Sequence, residues 1–518
     1  MFISKTLHKG IIIYLLLIFI ILSGFITRVY KNTQHPAGFF CDEAGLTYEA
    51  YHIATSGKDS QGNILPFYFT VFSPRGPVAI YDQVPLIWLF GMNEFTSRIT
   101  SALIGTFTIG IVFFLTKEFF QNYEIAIFAA FLTAISPWHI QFSRFGTENI
   151  RLPFYFSLFL LLFVLGIRKQ KNIYIFLSTV FLFLGFYAYT AAAVFIFPFI
   201  LGLAVIYKKY FLKNKLITLG LVFLVILYSL PFMYQMIRFP QQSRFAEVSV
   251  FKEKTTIEAV EQMIRTYSES YSSDFLFLKG DAGMPEHFIN RFSVKGFGEL
   301  YLVALPLFLA GLYYLSKNIK KKENQVLLLW FLLYPLGSVV AGADGGGPFA
   351  TRSIIGVLIF QIITSVGFIY IISLIRDIQL RIAIFISITL LFIISFSLYI
   401  YTYFVSYSLY SEDFWGWQYG AKDIIRYFIK QQENYNDEIM IPEFNAPDIF
   451  FKFYAPADCK KCKLGQPDDS LDLTRKQLFA VTLLYLQQHP SFKMDIQKII
   501  FYPNGKPAFL IGEIKKSP

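Results

Sequence analysis

Long apolar segments constrain this chain more than any other feature of its sequence. A helix needs about 20 apolar residues to cross a hydrocarbon layer of ~30 Å. Eleven segments have this character, and they predict an α-helical multi-pass membrane protein with about 11 transmembrane helices. The predicted spans are residues 10–29, 94–116, 124–141, 150–167, 172–189, 191–207, 215–237, 299–316, 325–342, 352–375 and 382–405.

The composition also favours a membrane protein over a soluble one. Only 16% of the residues are charged, and the chain contains 60 Phe and 33 Tyr, whereas soluble domains are about a quarter charged. The first span is too long for the apolar core of a signal peptide, so we expect it to be retained. The net charge of +11 is typical of basic cytoplasmic loops and does not indicate a nucleic-acid partner.

The short loops predict the orientation of the chain. With a cytoplasmic N-terminus, the inside segments carry sixteen Lys and Arg residues, whereas the short outside turns hold mainly Arg144 and Arg352. Because basic residues accumulate on the cytoplasmic side, we expect a cell-membrane protein whose long hydrophilic segments all lie outside. These segments are residues 30–93, 238–298 and 406–518.

Two domains follow from this division. We expect a transmembrane core at 1–405 and a small extracytoplasmic α/β domain at 406–518. For the second domain the sequence predicts helices at 417–432 and 474–488, a strand at 438–442, and a hairpin around Asn504-Gly505. In the core, the short apolar stretch 78–91 contains Asp82, Gln83 and Pro85, which favours a re-entrant or interfacial helix.

The first outer loop begins with two adjacent carboxylates, Asp42 and Glu43. The apolar residues behind them have helical spacing, which predicts a helix at 43–56 lying along the membrane interface. Asp42 could simply be the N-cap of this helix, with Glu43 as an acid of its first turn. The two interpretations are compatible, because a capped helix also holds a carboxylate rigidly.

Polar residues also cluster in the connection SPWHIQFSRFGTEN. Arg144 and Glu148 are four residues apart and could form an ion pair at a helix end. His139 could be an interfacial anchor. Because polar groups at this depth often line a cavity, the alternative is that all three face one.

The connection AGADGGGPFATRS is rich in glycine around Asp344 and leads to Arg352. Glycines allow a close approach of the backbone to a ligand, and a guanidinium can bind phosphate through two hydrogen bonds. The alternative is a flexible turn with an arginine that extends to the interface. Arg75 is a second candidate for binding an anion, whereas we expect Arg98 to extend to the interface.

The cysteines give little evidence of a metal site. Cys459 and Cys462 form one CxxC, which is half of a zinc site, and on the oxidising side they are expected to form a local disulfide or remain free. No metal ligands are assigned. The sequence also lacks the Walker, GxSxG and HExxH motifs of soluble enzymes.

The stretches YDQVPLIWLFGMNEFTSRITSALIG and ISPWHIQFSRFGTEN, after a first span and an outward Asp-Glu pair, are similar to membrane glycosyltransferases of the GT-C superfamily. The resemblance is to the glycosyltransferase family 39-like branch, which contains protein mannosyltransferases and the aminoarabinose transferase. It covers roughly residues 10–405. The C-terminal domain adds little to it.

The resemblance implies an inverting transfer of a sugar from a polyprenyl-phosphate (dolichyl-phosphate-type) donor to a hydroxyl of a protein, lipid or glycan on the outer face. It implies that Asp42 activates the acceptor, with Glu43 beside it. Arg144, Glu148 and Arg352 match polar cavity positions of related sequences. Relatives often carry Lys-Pro before the interfacial helix, whereas this chain has Arg75-Gly76-Pro77, so either Arg75 or Arg352 meets the phosphate. The resemblance implies no nucleotide site, and it does not decide whether a divalent cation takes part.

Other classes of membrane protein fit the sequence less well. A transporter or lipid flippase would be expected to show paired Gly/Pro-broken helices in two halves, which this sequence does not have. A receptor or scaffold would leave the Asp-Glu pair and Arg352 without a role. Among enzymes, an oligosaccharide ligase or oligosaccharyltransferase is the alternative.

Overall fold

The computed structural model describes residues 2–238, 248–252, 254–284, 287, 289–342 and 346–516, with side chains from Gly10 onward. Asp344 of the Gly-rich connection lies outside the described residues. In the described part, seven helices are long and apolar enough to cross a membrane, or eight if one bent pair counts as a span. The prediction of a helical multi-pass membrane protein is confirmed, and the count of eleven spans stays a prediction.

The first two helices are α1 (Phe2–Val29) and α2 (Cys41–Ser56). The remaining helices of five or more residues, in chain order, are Val84–Phe90, Glu94–Phe120, Tyr123–Ile135, Pro137–Ser143, Arg151–Lys169, Asn172–Ala188, Ala192–Ile206, Lys208–Lys213, Lys215–Arg238, Thr256–Glu269, the π-helical Asp274–Leu278, Ala304–Lys317, Lys322–Leu333, Leu336–Val340, Val357–Leu374, Ile378–Val405, Ala421–Gln431, Asp448–Tyr454 and Leu483–Gln488.

Four predicted spans are shorter or less regular than expected. The segments at 172–189, 191–207 and 299–316 form helices of 17, 15 and 14 residues. The segment at 124–141 bends by 57° between two helices. Pro137 explains the bend, because it has no N–H to continue the first helix, and the Ser136 hydroxyl accepts the His139 N–H at 3.3 Å to begin the second.

The first outer loop packs α2 against a small hairpin and two short helices. Strands β1 (Phe69–Val71) and β2 (Ser73–Arg75) form the antiparallel hairpin. The stretch predicted at 78–91 is helical at Val78–Tyr81 and again at Val84–Phe90. The predicted helix at 43–56 is confirmed as α2. Its buried residues Leu46, Ala50 and Ile53 pack on the hairpin and short helices.

The C-terminal unit contains a five-stranded mixed sheet in the order β4-β3-β5-β7-β6. The parallel strands are β3 (Asp437–Met440), β4 (Cys462–Leu464) and β5 (Gln477–Val481). The hairpin of β6 (Phe492–Phe501) and β7 (Pro507–Lys516) confirms the Asn504-Gly505 prediction. The helix predicted at 474–488 was wrong over most of its length. Its first half is the fully buried strand β5, whose continuous apolar run fits a central strand as well as a helix.

The sheet unit is fastened to the core beside α2. Glu94 accepts hydrogen bonds from Lys422 and Tyr454, both at 2.6 Å. The Gln418 side chain accepts the N–H of Cys41, the first residue of α2, at 2.9 Å. The C-terminal unit therefore helps to fix the end of α2 that carries Asp42.

Candidate active site

Asp42 and Glu43 are neighbours in sequence but have different surroundings. The N-cap of α2 is Phe40, and its N–H donates to the Glu43 carboxylate at 3.1 Å. Asp42 is therefore not the N-cap, which corrects the simplest interpretation of this residue. The Asp42 side chain is 26% exposed, whereas that of Glu43 is completely buried.

Glu43 is held by a buried ion pair. Arg98 donates to both of its oxygens at 2.9 and 3.0 Å, and the Gly146 N–H donates to one of them at 2.7 Å. Arg98 also donates to the carbonyls of Asn32, Pro36 and Gly38. The expectation that Arg98 extends to the interface was wrong, because this arginine is buried and joins the loop before α2 to the core.

Asp42 belongs to a second cluster centred on Arg75. The Arg75 guanidinium lies 3.3 Å from the Asp42 carboxylate and 2.5 Å from that of Glu148. Burial opposes the charge of Arg75, but the two carboxylates outweigh it and raise the pKa of the guanidinium. The expected Arg144–Glu148 pair does not form, since Glu148 binds Arg75 instead.

A cavity of about 520 Å³ contains this cluster. Its polar end is lined by residues from separate loops: Asp42, Arg75, Thr147, Glu148, Asn149, Tyr189, Arg291, Thr351 and Arg352. Its other side is apolar and includes Phe186, Val194, Phe197, Phe232, Met236 and Val340. The cavity therefore offers cationic and acidic groups beside a long apolar wall.

Arg352 is brought to the cavity by a well-anchored segment. Its guanidinium donates to the Ala341 carbonyl at 2.8 Å and lies over the Phe349 ring at 4.3 Å. One residue earlier, Thr351 accepts a hydrogen bond from Asn149 at 2.6 Å. The Ala350 N–H donates to the buried Asp281 carboxylate, also at 2.6 Å. The described end of the Gly-rich connection is thus held by hydrogen bonds to other parts of the chain.

Arg291 is a cavity residue that sequence reasoning missed. Its guanidinium lies 3.7 Å from the centre of the Phe40 ring and donates to the Trp415 carbonyl. Burial lowers its pKa, although the Asp42 carboxylate acts in the opposite direction. Arg291 is in the long outer loop 238–298, where no local motif distinguishes it from other basic residues.

Arg144 and His139 were predicted to be polar cavity residues, but neither lines the cavity described above. Arg144 donates to the carbonyls of Thr27, Tyr30 and His35, so it fixes the end of α1. His139 is buried, and its Nδ1 lies 2.8 Å from the Arg28 guanidinium. Both residues support the core behind α2.

Residues 74–234 match the model of the family described as dolichyl-phosphate-mannose-protein mannosyltransferase. No curated protein sequence matches the chain. The matched segment contains Arg75 and Glu148 but begins after Asp42.

Solved structures show the fold. ArnT from Cupriavidus metallidurans in the apo state superposes with a TM-score of 0.53 at 11% identity, covering 97% of this chain and 98% of ArnT. ArnT bound to undecaprenyl phosphate gives 0.52 at 11% identity, covering 96% of this chain and 97% of that one. The Archaeoglobus fulgidus oligosaccharyltransferase gives 0.53 at 14% identity, covering 88% of this chain. The match spans 65% of that enzyme's length. The resemblance predicted from the sequence is confirmed.

Proposed function

We propose that this chain, which has the fold of ArnT and matches the mannosyltransferase family in part, is a membrane glycosyltransferase of the GT-C class. It moves a sugar from a polyprenyl-phosphate donor to a hydroxyl group of an acceptor on the outer face, with inversion at the anomeric carbon. The positive-inside pattern supports a cytoplasmic N-terminus and an extracytoplasmic site.

The observation that supports this proposal is a single cavity lined by both charged and apolar side chains. Asp42, Arg75 and Arg352 lie at its polar end, and aromatic and aliphatic side chains form its wall. A polyprenyl-phosphate sugar has the same division into a charged head and an apolar tail. The helix Lys215–Arg238, which supplies part of the wall, is apolar and largely exposed on its outside. A lipid could therefore reach the cavity from the hydrocarbon layer.

Asp42 is the proposed general base. It is the more exposed carboxylate of the Asp-Glu pair, and of the two only Asp42 lines the cavity. Its carboxylate takes the proton of the acceptor hydroxyl while the hydroxyl oxygen forms a bond to the anomeric carbon. The bond from that carbon to the lipid phosphate breaks in the same step, and the leaving phosphate keeps the electron pair.

The arginines stabilise the leaving group. A lipid phosphate leaves as a stable anion, so it needs positive charge and not a proton. Arg352, Arg75 and the newly identified Arg291 all line the polar end of the cavity. We assign Glu43 a positioning role, because both of its oxygens are used to hold α2 in place.

The described residues that line the cavity do not form a preformed cation site. The acidic residues in the described lining are Asp42 and Glu148, and both of their carboxylates contact the Arg75 guanidinium. Among the described residues, the group that converges on an ion-sized space is elsewhere, in the C-terminal sheet. The proposed steps therefore use only side chains of the protein, and dependence on a divalent cation is to be measured by chelation.

The first test is the conversion of Asp42 to asparagine. Asp42→Asn keeps the shape of the side chain but removes the base, so we expect transfer to fall by ~10²–10⁴. The assay follows the radiolabelled sugar of polyprenyl-phosphate donors incubated with the purified protein and candidate acceptors. The control is Asp423→Asn, which changes an exposed carboxylate that does not line the cavity. Normal turnover by Asp42→Asn would refute the role of Asp42.

The second test concerns the donor phosphate. We expect Arg352→Ala to weaken binding of a polyprenyl-phosphate analogue by about 1.5–3 kcal/mol, the scale of a hydrogen bond to a charged group. Arg352→Lys should recover only part of this loss, because it keeps the charge without the planar fork. Asp42→Asn should bind the analogue at least as well as the native chain, because Arg75 then has one carboxylate fewer to hold it away from the phosphate. Unchanged affinity in a folded Arg352→Ala protein would transfer the phosphate contact to Arg75 or Arg291.

The oligosaccharyltransferase match supports a second candidate, the transfer of a whole oligosaccharide from a lipid donor. The same assay separates the two functions when donors with one sugar and with several sugars are compared. Under the main proposal the donor with one sugar is the better substrate.

A further inference from the structure

A buried carboxylate lies beside the CxxC pair in the C-terminal sheet. Glu438 is on β3, next to β4, and its Cα is paired with that of Cys462. The residue has no exposed surface. One of its oxygens is 3.3 Å from the Cys459 sulfur and 3.8 Å from the Cys462 sulfur. The sequence hides this contact, because Glu438 precedes the CxxC by about twenty residues.

Among the described residues, only the two cysteine sulfurs lie within bonding distance of the Glu438 carboxylate. Its second oxygen is buried with no partner among the described residues. The two cysteines are joined in the structure, and disulfide sulfurs have no proton to donate. A buried carboxylate without donors is costly, and the disulfide alone gives no reason for an acid at this position.

The distances from the Glu438 oxygen to the two sulfurs have the spacing of a zinc site, and the sulfurs, which are bonded to each other in the structure, must separate when the disulfide is reduced. Zinc–sulfur bonds of about 2.3 Å and zinc–oxygen bonds of about 2.1 Å place tetrahedral sulfur and oxygen ligands about 3.6 Å apart. The measured sulfur–oxygen distances bracket this value. One carboxylate oxygen and both sulfurs lie within 4.8 Å of one another. Lys461 lies between the cysteines in sequence, but its ammonium does not occupy the position of the ion. It donates to the Gln432 and Tyr435 carbonyls instead.

We propose that the reduced Cys459–Cys462 pair and Glu438 form a Zn²⁺ site, with a water as fourth ligand. A dithiol or phosphine reductant supplies two electrons to the disulfide and is itself oxidised, and two protons convert the sulfurs to thiols. Zn²⁺ then displaces both thiol protons to solvent and binds the two thiolates and the carboxylate. The half-buried cysteines leave access for the water. The ion supplies the positive charge that Glu438 lacks in the oxidised chain.

The test measures metal binding to the full-length protein in detergent, with and without a phosphine reductant. We expect about one tightly bound Zn²⁺ per reduced chain and none per oxidised chain, measured by elemental analysis after removal of free metal. Co²⁺ in place of Zn²⁺ should give the visible absorption of a tetrahedral thiolate site. The Cys459→Ser/Cys462→Ser variant should lose both signals.

The carboxylate is tested separately. Glu438→Gln keeps the size of the side chain, and it should weaken zinc binding by at least about tenfold, since loss of a partner outside the ligand set already costs 10–100-fold. Glu443→Gln, an exposed acid in the same unit, should bind as the native chain does. Buried Cys41 is present in every variant, so any binding to it cancels. Equal affinities of Glu438→Gln and Glu443→Gln, or no zinc in the reduced native chain, would overturn the proposal.

Discussion

At the scale of single residues, adjacent acids have separate tasks. Asp42 faces the cavity and is partly exposed, whereas Glu43 is buried against Arg98 with all of its hydrogen bonds inside the protein. One helical step, about 100° of rotation, is enough to turn one side chain toward a ligand and the other into the core. Substitution of Asp42 should therefore slow sugar transfer, whereas substitution of Glu43 should lower the stability of the protein.

Glu43→Gln is expected to destabilise the protein instead of slowing the chemistry directly. Breaking a buried ion pair costs about 3–5 kcal/mol, because the remaining charge is left unpaired. We expect a clearly lower thermal unfolding temperature in detergent, whereas Asp42→Asn should unfold near the native temperature. A Glu43→Gln protein that is fully stable but inactive would restore Glu43 as a catalytic residue.

Sequence reasoning located the candidate site but not the partners within it. Asp42, Arg75, Glu148 and Arg352 were all singled out, and the structure brings them to one cavity. Arg144 and His139 have the same polar character, yet they contact the core, because the turn after Pro137 directs them toward α1. Which way a polar residue faces at a helix end depends on the tertiary fold, and residue spacing alone does not give it.

At the scale of elements, the close approach of the hairpin to a membrane helix positions Arg75. Gly76 follows β2 and lies against the backbone carbonyl of Tyr187, at the end of helix Asn172–Ala188. An added Cβ would collide with that carbonyl. The hairpin can therefore reach its position only with glycine here. In the Arg-Gly-Pro sequence, Gly76 is thus required by packing, and Arg75 supplies the charge in the cavity.

Gly76→Ala is expected to displace the hairpin and Arg75 with it. Overpacking of this kind typically costs about 1–3 kcal/mol, and Arg75 should lose its contacts with Asp42 and Glu148. We expect weaker binding of the polyprenyl-phosphate analogue and slower transfer. Gly10→Ala serves as the control, since nothing lies within 4 Å of an added Cβ there. Native donor affinity in Gly76→Ala would show that the hairpin can shift without consequence.

Elements were predicted best where one pattern dominated. The Asn504-Gly505 turn fixed the last hairpin, and apolar periodicity fixed α2. Strand β5 was mistaken for a helix, because a short apolar run that is buried on both faces carries no period of two. The bend at Ser136-Pro137 shows how one apolar segment can contain two helices.

At the scale of the whole molecule, the site is formed mainly by the helical core and the outer loops, and the C-terminal unit contributes one residue to its lining. Trp417 lines the cavity, and Gln418 binds the first residue of α2. The contact between Glu94 and both Lys422 and Tyr454 joins the two units beside the site. The first outer loop and the C-terminal unit must therefore lie on the same side of the membrane, which is the proposed outer face.

Cysteine labelling tests this orientation. We expect Gln61→Cys and Asn504→Cys to react with an impermeant reagent in intact cells, and Lys320→Cys to react only after permeabilisation. All three positions are exposed. Mapping the label by mass spectrometry separates it from the native cysteines. Labelling of Lys320→Cys in intact cells would reverse the orientation and move the site to the cytoplasmic side.

The Arg75 bridge also implies an order of substrate addition under the proposed chemistry. In the structure this guanidinium is shared between Asp42 and Glu148. An arriving lipid phosphate competes for the same guanidinium, and its arrival frees Asp42. The donor is therefore expected to bind before the acceptor, because the Asp42 carboxylate can contact an acceptor hydroxyl only after Arg75 has moved to the phosphate.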